Sequence, residues 1–186
     1  MGTWSYHRRN FRVYLRHPQI KDSQEFIQSA KESLGHLRPW IYPPITKSKF
    51  EAFVRRANSA THQCFLICHK DNDEILGTVN FNEIVRGCLF GCFSGFYLFV
   101  HAARKGYMRE GLGLALKHGF EELKLHRVEA NIQPGNQRSI ALVKNLGFRL
   151  EGFSPRYLKI GGRWRDHERW AIVKEEFFFG KVLRKS

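Results

Sequence analysis

The 186-residue chain carries 31 Lys and Arg residues against 17 Asp and Glu residues, which gives a formal net charge of +14 at pH 7. Hydrophobic residues make up 42% of the sequence, enough to build a core and to exclude an intrinsically disordered protein. No apolar run approaches the roughly 18 residues of a transmembrane helix, and the N-terminus lacks the apolar segment of a secretory signal. We therefore predict one cytoplasmic domain over residues 1–186, with a core from about residue 11 to about residue 173.

The beginning of the chain predicts one strand and two helices. Phe11–Leu15 alternates as a strand does, and Asp22–Leu34 repeats apolar residues at helical spacing. The second helix is predicted to begin at Thr46 or Ser48 and to run to Ala60.

Three predicted strands follow. Gln63–His69 and Ile75–Ile84 are joined by a hairpin turn at Asp71–Asp73. A turn near Arg86-Gly87 then leads into the third strand, Cys92–Val100.

A basic turn follows this third strand. Its residues, Lys105-Gly106-Tyr107-Met108-Arg109, lead into a helix whose apolar residues recur at helical spacing from Leu112 to Leu123. The first N–H groups of a helix have no partner inside the helix, and the helix dipole adds partial positive charge there. The turn is therefore predicted to bind a phosphate or pyrophosphate.

A second strand–turn–helix unit comes next. The strand Val128–Ile132 is interrupted by Pro134-Gly135, and Asn136 is placed to cap the following helix. That helix is expected to end at Gly147 in the left-handed conformation.

The chain closes with a predicted hairpin, in which Phe153–Ile160 and Arg163–Val173 flank Gly161-Gly162. The complete order is β-α-α-β-β-β-α-β-α-β-β. This order predicts a mixed sheet with helices on both faces.

The four cysteines, at positions 64, 68, 88 and 92, do not predict a metal site. Cys64 and Cys68 belong to one predicted strand, in which residues four apart are about 13 Å from each other. A tetrahedral zinc needs ligands at about 2.3 Å. We predict buried, reduced cysteines and no bound metal.

The two tandem strand–turn–helix units resemble the acyl-CoA site of the GCN5-related N-acetyltransferases (GNAT). The runs around Gly106-Tyr107-Met108, Asn136 to Ser139 and Leu146-Gly147-Phe148 are similar to those of the Rim-type ribosomal-protein N-terminal acetyltransferases. The alanine-acetylating RimJ group is most similar, through Leu37-Arg-Pro-Trp40, Asn80-Phe81, Val85-Arg86-Gly87, Tyr157-Leu158 and Trp164-Arg165-Asp166-His167.

The resemblance implies an α/β (α+β) GNAT fold with a mixed, mostly antiparallel sheet of about seven strands. It also implies an acyltransferase that takes acetyl from acetyl-CoA and places it on the N-terminal α-amine of a protein. The implied target is a ribosomal protein that begins with Ala or Ser.

The resemblance assigns cofactor contacts to main-chain groups and to the start of the second helix. The pyrophosphate would lie on the backbone amides from Arg104 through Arg109, and Arg104 stands where the family has a loop glycine. The full implied set is Leu98, Phe99, Val100, Arg104, Lys105, Gly106, Tyr107, Met108, Arg109, Asn131, Asn136 and Ser139.

The catalytic groups are less clearly marked. Many relatives carry an acidic tyrosine at the position of Val143, and some carry a glutamate base at the position of Asn131. The resemblance instead implies that Ser139 donates to the leaving sulfur or holds a water. The alternative is that Ser139 makes only a local hydrogen bond in the first turn of its helix. Glu129 is expected on the same face as Asn131, either as a base or as a solvated strand residue.

A site without a strong base favours an α-amine over a lysine. An α-amine has a pKa of about 7.7–8, so roughly one α-amine in ten is neutral at pH 7. Lysine has a pKa of about 10.4, and its deprotonation at pH 7 costs about 3 kcal/mol more than that of an α-amine.

The acceptor contacts predicted from the variable segments are Trp40, Tyr42, Glu83, Tyr157, Trp164 and Asp166. The alternative for Trp40 and Trp164 is that their rings pack in the hydrophobic core and do not contact the acceptor.

Two other functions stay open from the sequence. One is a small-amine or antibiotic acetyltransferase, although a net charge of +14 disfavours polyamines. The other is a ribosome- or RNA-associated protein with a vestigial acetyltransferase site. The basic surface is also expected to allow non-specific RNA contact, and the protein is expected to be a monomer or a homodimer.

Overall fold

A computed structural model describes residues 5–6, 11–57 and 59–180, and these residues form one eight-stranded sheet with five α-helices. The order across the sheet is β1-β2-β3-β4-β5-β6-β8-β7. The strands are β1 Ser5–Tyr6, β2 Val13–Arg16, β3 Gln63–His69, β4 Ile75–Val85, β5 Gly91–Leu98, β6 Arg127–Ile132, β7 Arg149–Ile160 and β8 Arg163–Val173. The predicted mixed, mostly antiparallel sheet is confirmed, and the two-residue edge strand β1 is the addition that the sequence did not predict.

The helices are α1 Ser23–Glu32, α2 Leu34–Leu37, α3 Lys47–Arg56, α4 Tyr107–Glu121 and α5 Gln137–Leu146. The predicted helix Asp22–Leu34 breaks at Ser33, whose buried hydroxyl donates to the Ser29 carbonyl at 2.6 Å and accepts from the Val100 N–H at 2.9 Å. The prediction that α3 reaches Ala60 is also wrong, because this helix ends at Arg56.

The sheet is covered on both faces, as predicted. Helices α4 and α5 contribute Leu112, Leu116 and Val143 to one core cluster, and α1 and α3 contribute Phe26 and Phe50 to the other. Because β3 lies between the two layers, its alternate residues enter opposite clusters, and the strand is buried on both sides.

Three of the cysteines behave as predicted. Cys64, Cys68 and Cys92 are buried free thiols, while Cys88 is free but exposed, so the prediction of burial fails there. No group of three or more His, Cys, Asp or Glu residues is placed to hold a metal within the described part of the chain. No helix of the described residues is long and apolar enough to cross a membrane.

The sheet opens between β5 and β6, the pair of strands that run parallel. Their pairing spans Gly91–Phe93 and Arg127–Glu129 and then stops. Beyond that point β5 stays paired with β4 as far as Leu98, and β6 stays paired with β8 as far as Ile132. The two strands therefore follow different neighbours and leave a cleft between them.

Candidate active site

The turn at the start of α4 presents unpaired backbone donors. Gly106 is the N-cap, in the left-handed conformation (φ 81°), and no side chain caps the helix. Within the described residues, the N–H groups of Gly106, Tyr107 and Met108 make no backbone bond, whereas that of Arg109 donates to the Gly106 carbonyl at 3.1 Å. The turn is therefore built as the sequence predicted for an anion, with Arg109 using its amide internally.

Arg104 adopts a backbone conformation that glycine adopts most readily. Its φ is 63°, which lies in the left-handed region that L-residues adopt at a cost. This is the conformation expected at a position where the family pattern has a glycine.

Arg12, a residue that the sequence gave no reason to select, holds this turn from the strand side. Its guanidinium donates to the Lys105 carbonyl at 2.9 Å and to the Glu110 carboxylate, and it lies 4.7 Å from the centre of the Tyr107 ring. A long-range contact of this kind leaves no local sequence signal.

A cavity of about 190 Å³ extends from the turn along the open edge of β5. Met108 and Leu98 line it, and Arg104, Arg138 and His36 surround its basic end. The pKa of His36 is lowered by burial first and then by the positive charges of Arg138 and Arg104. A ligand with phosphate groups would compensate this cluster of positive charge.

Leu98 is the member of the predicted set Leu98, Phe99 and Val100 that lines this cavity. The Phe99 N–H donates to the Leu76 carbonyl at 2.8 Å, and the Val100 N–H donates to the Ser33 hydroxyl. The main-chain donors of Phe99 and Val100 are thus already used within the fold.

A second cavity, of about 390 Å³, lies on the α3 side of the same opening, and we call it the acceptor cleft. The loop after α2 crosses above it. A Cβ atom on Gly135 would lie 3.0 Å from the Trp40 ring, and a Cβ atom on Gly161 would lie 2.2 Å from the Tyr42 hydroxyl. The loop therefore touches both the β6–α5 turn and the tip of the β7–β8 hairpin.

Three residues that line the acceptor cleft each carry a buried polar atom without a hydrogen-bond partner among the described residues. The atoms are Asn80 Oδ1 on β4, Ser94 Oγ on β5 and Asn131 Oδ1 on β6. A buried polar atom without a partner costs about 1–3 kcal/mol. The strand register places Asn80 and Asn131 on one face of the sheet and Ser94 on the other. Asn80 Oδ1 and Asn131 Oδ1 are therefore the pair of acceptors that a ligand with N–H groups can satisfy together.

Asn136 and Ser139 line both cavities and so mark their junction. The Ser139 N–H donates to Asn136 Oδ1 at 3.3 Å, which confirms the predicted cap, and Gly147 ends α5 at φ 96° as predicted. The Ser139 hydroxyl makes no hydrogen bond to the described residues, and its role stays a prediction.

Several predicted side chains do not line the acceptor cleft. The Glu129 carboxylate accepts from Arg127 Nε at 2.9 Å, and Asp166 Oδ1 accepts from the Arg156 N–H at 2.7 Å. Glu83 is exposed beside His62. Trp164 is 61% exposed, so core filling is wrong for it.

His167 lines the acceptor cleft, although the sequence pointed to it only as the last residue of the Trp164–His167 motif. It is 3% exposed, and its ring lies 6.2 Å from that of the predicted contact Tyr157.

Among the described residues that line the acceptor cleft, none is Asp or Glu, while Arg56 adds a positive charge. The cleft is therefore neutral to basic.

These observations fit acetyl-CoA. Unpaired amides and cations at the α4 turn suit phosphates, the narrow cavity suits an extended arm, and the junction at Ser139 suits the reacting carbonyl. The two cavities meet there, so a donor and an acceptor can approach each other from opposite sides.

Comparisons with known proteins agree with this geometry. The family model described as an Acetyltransferase (GNAT) domain matches residues 12–149. The chain is 30% identical over 172 residues to the probable N-acetyltransferase YjcK of Bacillus subtilis, covering 88% of this chain and 95% of that protein. It is 29% identical over 178 residues to the ribosomal protein uS5-alanine N-acetyltransferase of Escherichia coli, covering 91% and 92% respectively.

Structural comparison gives the same fold. The RimJ protein of Mycobacterium smegmatis in complex with CoA-disulfide superposes with a TM-score of 0.82 at 26% identity, covering 92% of this chain and 88% of that one. A more distant sequence relative is the spermidine N(1)-acetyltransferase of E. coli, 20% identical over 168 residues and covering 86% of each chain.

Proposed function

Because this chain belongs to the GNAT family of acetyltransferases, we propose that it acetylates the N-terminal α-amine of a protein, a ribosomal protein that begins with Ala or Ser. Acetyl-CoA supplies the acetyl group as a thioester. The relative that acetylates the alanine of uS5 supports this target class.

The absence of carboxylates among the described residues that line the acceptor cleft is the observation that carries the proposal. A polyamine is a polycation, and its binding requires acidic groups to offset its charge. The cleft instead continues past Phe53 into a groove of about 480 Å³ that is rimmed by Arg38, Lys49 and Arg56. A neutral or acidic polypeptide fits these surroundings, and a polyamine does not.

The polar atoms in the cleft suit a neutral amine. Asn80 Oδ1 and Asn131 Oδ1 are uncharged and can accept hydrogen bonds from an amine and the first peptide N–H. They offer no countercharge that would hold an ammonium ion. An α-amine, of which about one in ten is neutral at pH 7, can use such a site more readily than a lysine.

Different residues of the chain bind the cofactor and assist the leaving group. The Gly106–Met108 amides hold the diphosphate, and Asn136 fixes the first turn of α5 while facing both cavities. Ser139, at the junction, donates a hydrogen bond to the leaving sulfur. Contact with rRNA through the basic surface would bring the enzyme to its target.

Acetyl transfer to a matched peptide panel tests the proposal. Peptides that differ only in a first residue of Ala, Ser, Thr or Met are compared with the same peptides blocked at the N-terminus and carrying one internal lysine, and with spermidine. We expect α-amine acetylation of the Ala and Ser peptides, with kcat/KM at least 100-fold above that of spermidine. A preference for spermidine or for the internal lysine would contradict the proposal.

Titration with acetyl-CoA tests the alternative that this is a ribosome- or RNA-associated protein whose acetyltransferase site is vestigial. We expect saturable binding and a raised Tm, because ligand binding to the native state stabilises it. An unchanged Tm at saturating acetyl-CoA would favour a ribosome-associated protein without activity.

A further inference from the structure

The acceptor cleft contains one side chain that can take up a proton at neutral pH. The titratable groups that line it are Arg56, Tyr42, Tyr97 and His167. A guanidinium and phenols are protonated at neutral pH, and burial raises the pKa of Tyr97 further. The imidazole is the remaining basic group among the described lining residues.

We propose that His167 Nε2 accepts the proton that the attacking α-amine must lose during acetyl transfer. The inference rests on the proposed function and adds its general base. Three geometric facts carry it: His167 lines the cavity, it is buried, and one of its ring nitrogens is already committed.

The committed nitrogen fixes the tautomer. His167 Nδ1 lies 2.9 Å from the Arg165 carbonyl oxygen. A carbonyl oxygen can only accept, so Nδ1 must carry the hydrogen and donate it. In the neutral ring Nε2 then holds the lone pair, as a general base requires.

The surroundings keep the ring neutral. Burial lowers the pKa of His167 below its ordinary value of 6.5, against smaller raising effects of the Arg165 carbonyl and Asp166. The charged and titratable groups around it are Asp166, Arg165 and Arg169 on β8, Tyr157 on β7 and Arg56 on α3. On β7 the uncharged Ser154 lies directly opposite His167. Asn131 near the end of β6 and Gln133 just after it add uncharged groups to the cleft.

Glu129, the base that the sequence offered, is less suited to this role. Its carboxylate is bound to Arg127, which also pairs with Glu151. Taking up a proton would break that network. His167 can take one without breaking an ion pair.

The proton balance of the reaction is simple. The neutral amine forms the new C–N bond, and its nitrogen becomes positively charged and acidic. His167 Nε2 takes one N–H proton as the C–S bond breaks, and the thiolate of CoA leaves with the electron pair. The proton then passes from the imidazolium to the thiolate or to water, which restores the neutral ring.

Two substitutions separate this role from a structural one. His167→Asn keeps a donor near Nδ1 but has no basic nitrogen, and His167→Gln places an amide near Nε2. We expect both variants to lose about 10²-fold in kcat, the range for one general base, with unchanged acetyl-CoA affinity. His126→Asn, at an exposed histidine paired with Glu175, is the matched control.

The pH profile gives the sharper result. Below the pKa of His167 both the amine and the imidazole must lose a proton, so log(kcat/KM) of the wild type should rise with a slope of two and then of one. The variants should show a slope of one throughout. Slopes that match between wild type and variants, or variants that keep more than a third of wild-type kcat, would overturn the proposal.

A measurement without turnover completes the test. NMR of 15N-labelled histidine in the ligand-free protein should show the Nδ1–H tautomer for His167 and titration below pH 6.5. An Nε2–H tautomer would overturn the proposal. If none of the peptides is acetylated by the wild type, the proposed function fails, whereas a flat response to His167→Asn on an active enzyme rejects only the role of His167.

Discussion

The α4 turn and the acceptor cleft lie at opposite ends of one opening in the sheet, but they present different chemical groups. The α4 turn offers backbone N–H groups on Gly106, Tyr107 and Met108. The acceptor cleft offers side chains, among them Asn131 and His167. Main-chain recognition should tolerate side-chain substitution as long as the backbone keeps its shape, and Arg104 at φ 63° shows that a side chain is accommodated in the left-handed region of this turn.

The two regions also differ in how firmly they are held. Every residue from Gly111 through Phe120 in α4 is buried, and a Cβ atom on Gly111 would lie 2.6 Å from Ile67. The β7–β8 hairpin is more open, with Phe153 54% exposed and Trp164 61% exposed. We therefore expect changes near α4 to act on stability and cofactor binding, and changes near the hairpin to act on acceptor turnover.

Acid should destabilise the α4 region more than any single substitution in the cleft. His118 on α4 is 6% exposed, and burial lowers its pKa from 6.5 to about 4. The unfolded chain binds this proton first, so its stabilising contribution is present above pH 6.5 and is lost as the pH falls to about 4. The loss should be about 3 kcal/mol.

Urea unfolding at pH 7 and pH 4 measures this loss. His118→Gln removes the titrating group, and the free energy of unfolding should then change much less between the two pH values. An equal pH dependence in the variant would assign the acid sensitivity to other groups, such as His17, whose pKa is also lowered by burial.

Ser139→Ala should have the next largest effect, at the junction of the two regions. If its hydroxyl donates to the leaving sulfur, kcat should fall by about 10²-fold, the contribution of one acid–base group. Acetyl-CoA affinity should hardly change. Paired measurements of kcat and Tm check this, and full activity with a lowered Tm would make Ser139 a helix residue only.

Gly106→Val should weaken acetyl-CoA binding at least tenfold, about 1.4 kcal/mol. The native φ of 81° is strained for a β-branched residue, and a Cβ atom would lie 3.2 Å from the Arg12 guanidinium. The amides would then point elsewhere. Isothermal titration measures the change.

Arg104→Gln is the matched control in the same turn. It removes a charge but not the backbone shape, so we expect a loss of less than about threefold in acetyl-CoA affinity. A larger loss from Arg104→Gln than from Gly106→Val would mean that side chains, not amides, bind the phosphates.

Tyr42→Ala should have the smallest effect and should act on the acceptor alone. The ring is 49% exposed and touches Gly161 across the cleft, so its loss should raise the peptide KM several-fold through about 1 kcal/mol of lost contact. Acetyl-CoA affinity should stay the same. A change in acetyl-CoA affinity instead would show that the two regions are coupled through the loop.

The sequence by itself determined the parts that depend on neighbouring residues. Hydrophobic periodicity located the strands β3 and β8 at their observed bounds, and local cap chemistry located Asn136 and Gly147 at the ends of α5. The α4 turn could also be predicted, because a strand, a glycine and an amphipathic helix follow each other within a short stretch of chain.

Tertiary structure alone decided which distant groups meet. Arg12 reaches the α4 turn from the position just before β2, and His167 faces the cleft because β8 pairs with β6 while β5 pairs with β4. Glu129 was predicted from its place on the strand, but Arg127 and Glu151 hold that side of β6 in an ion-pair network. Contacts between residues far apart in the chain depend on strand order and register, and periodicity along the chain does not encode them.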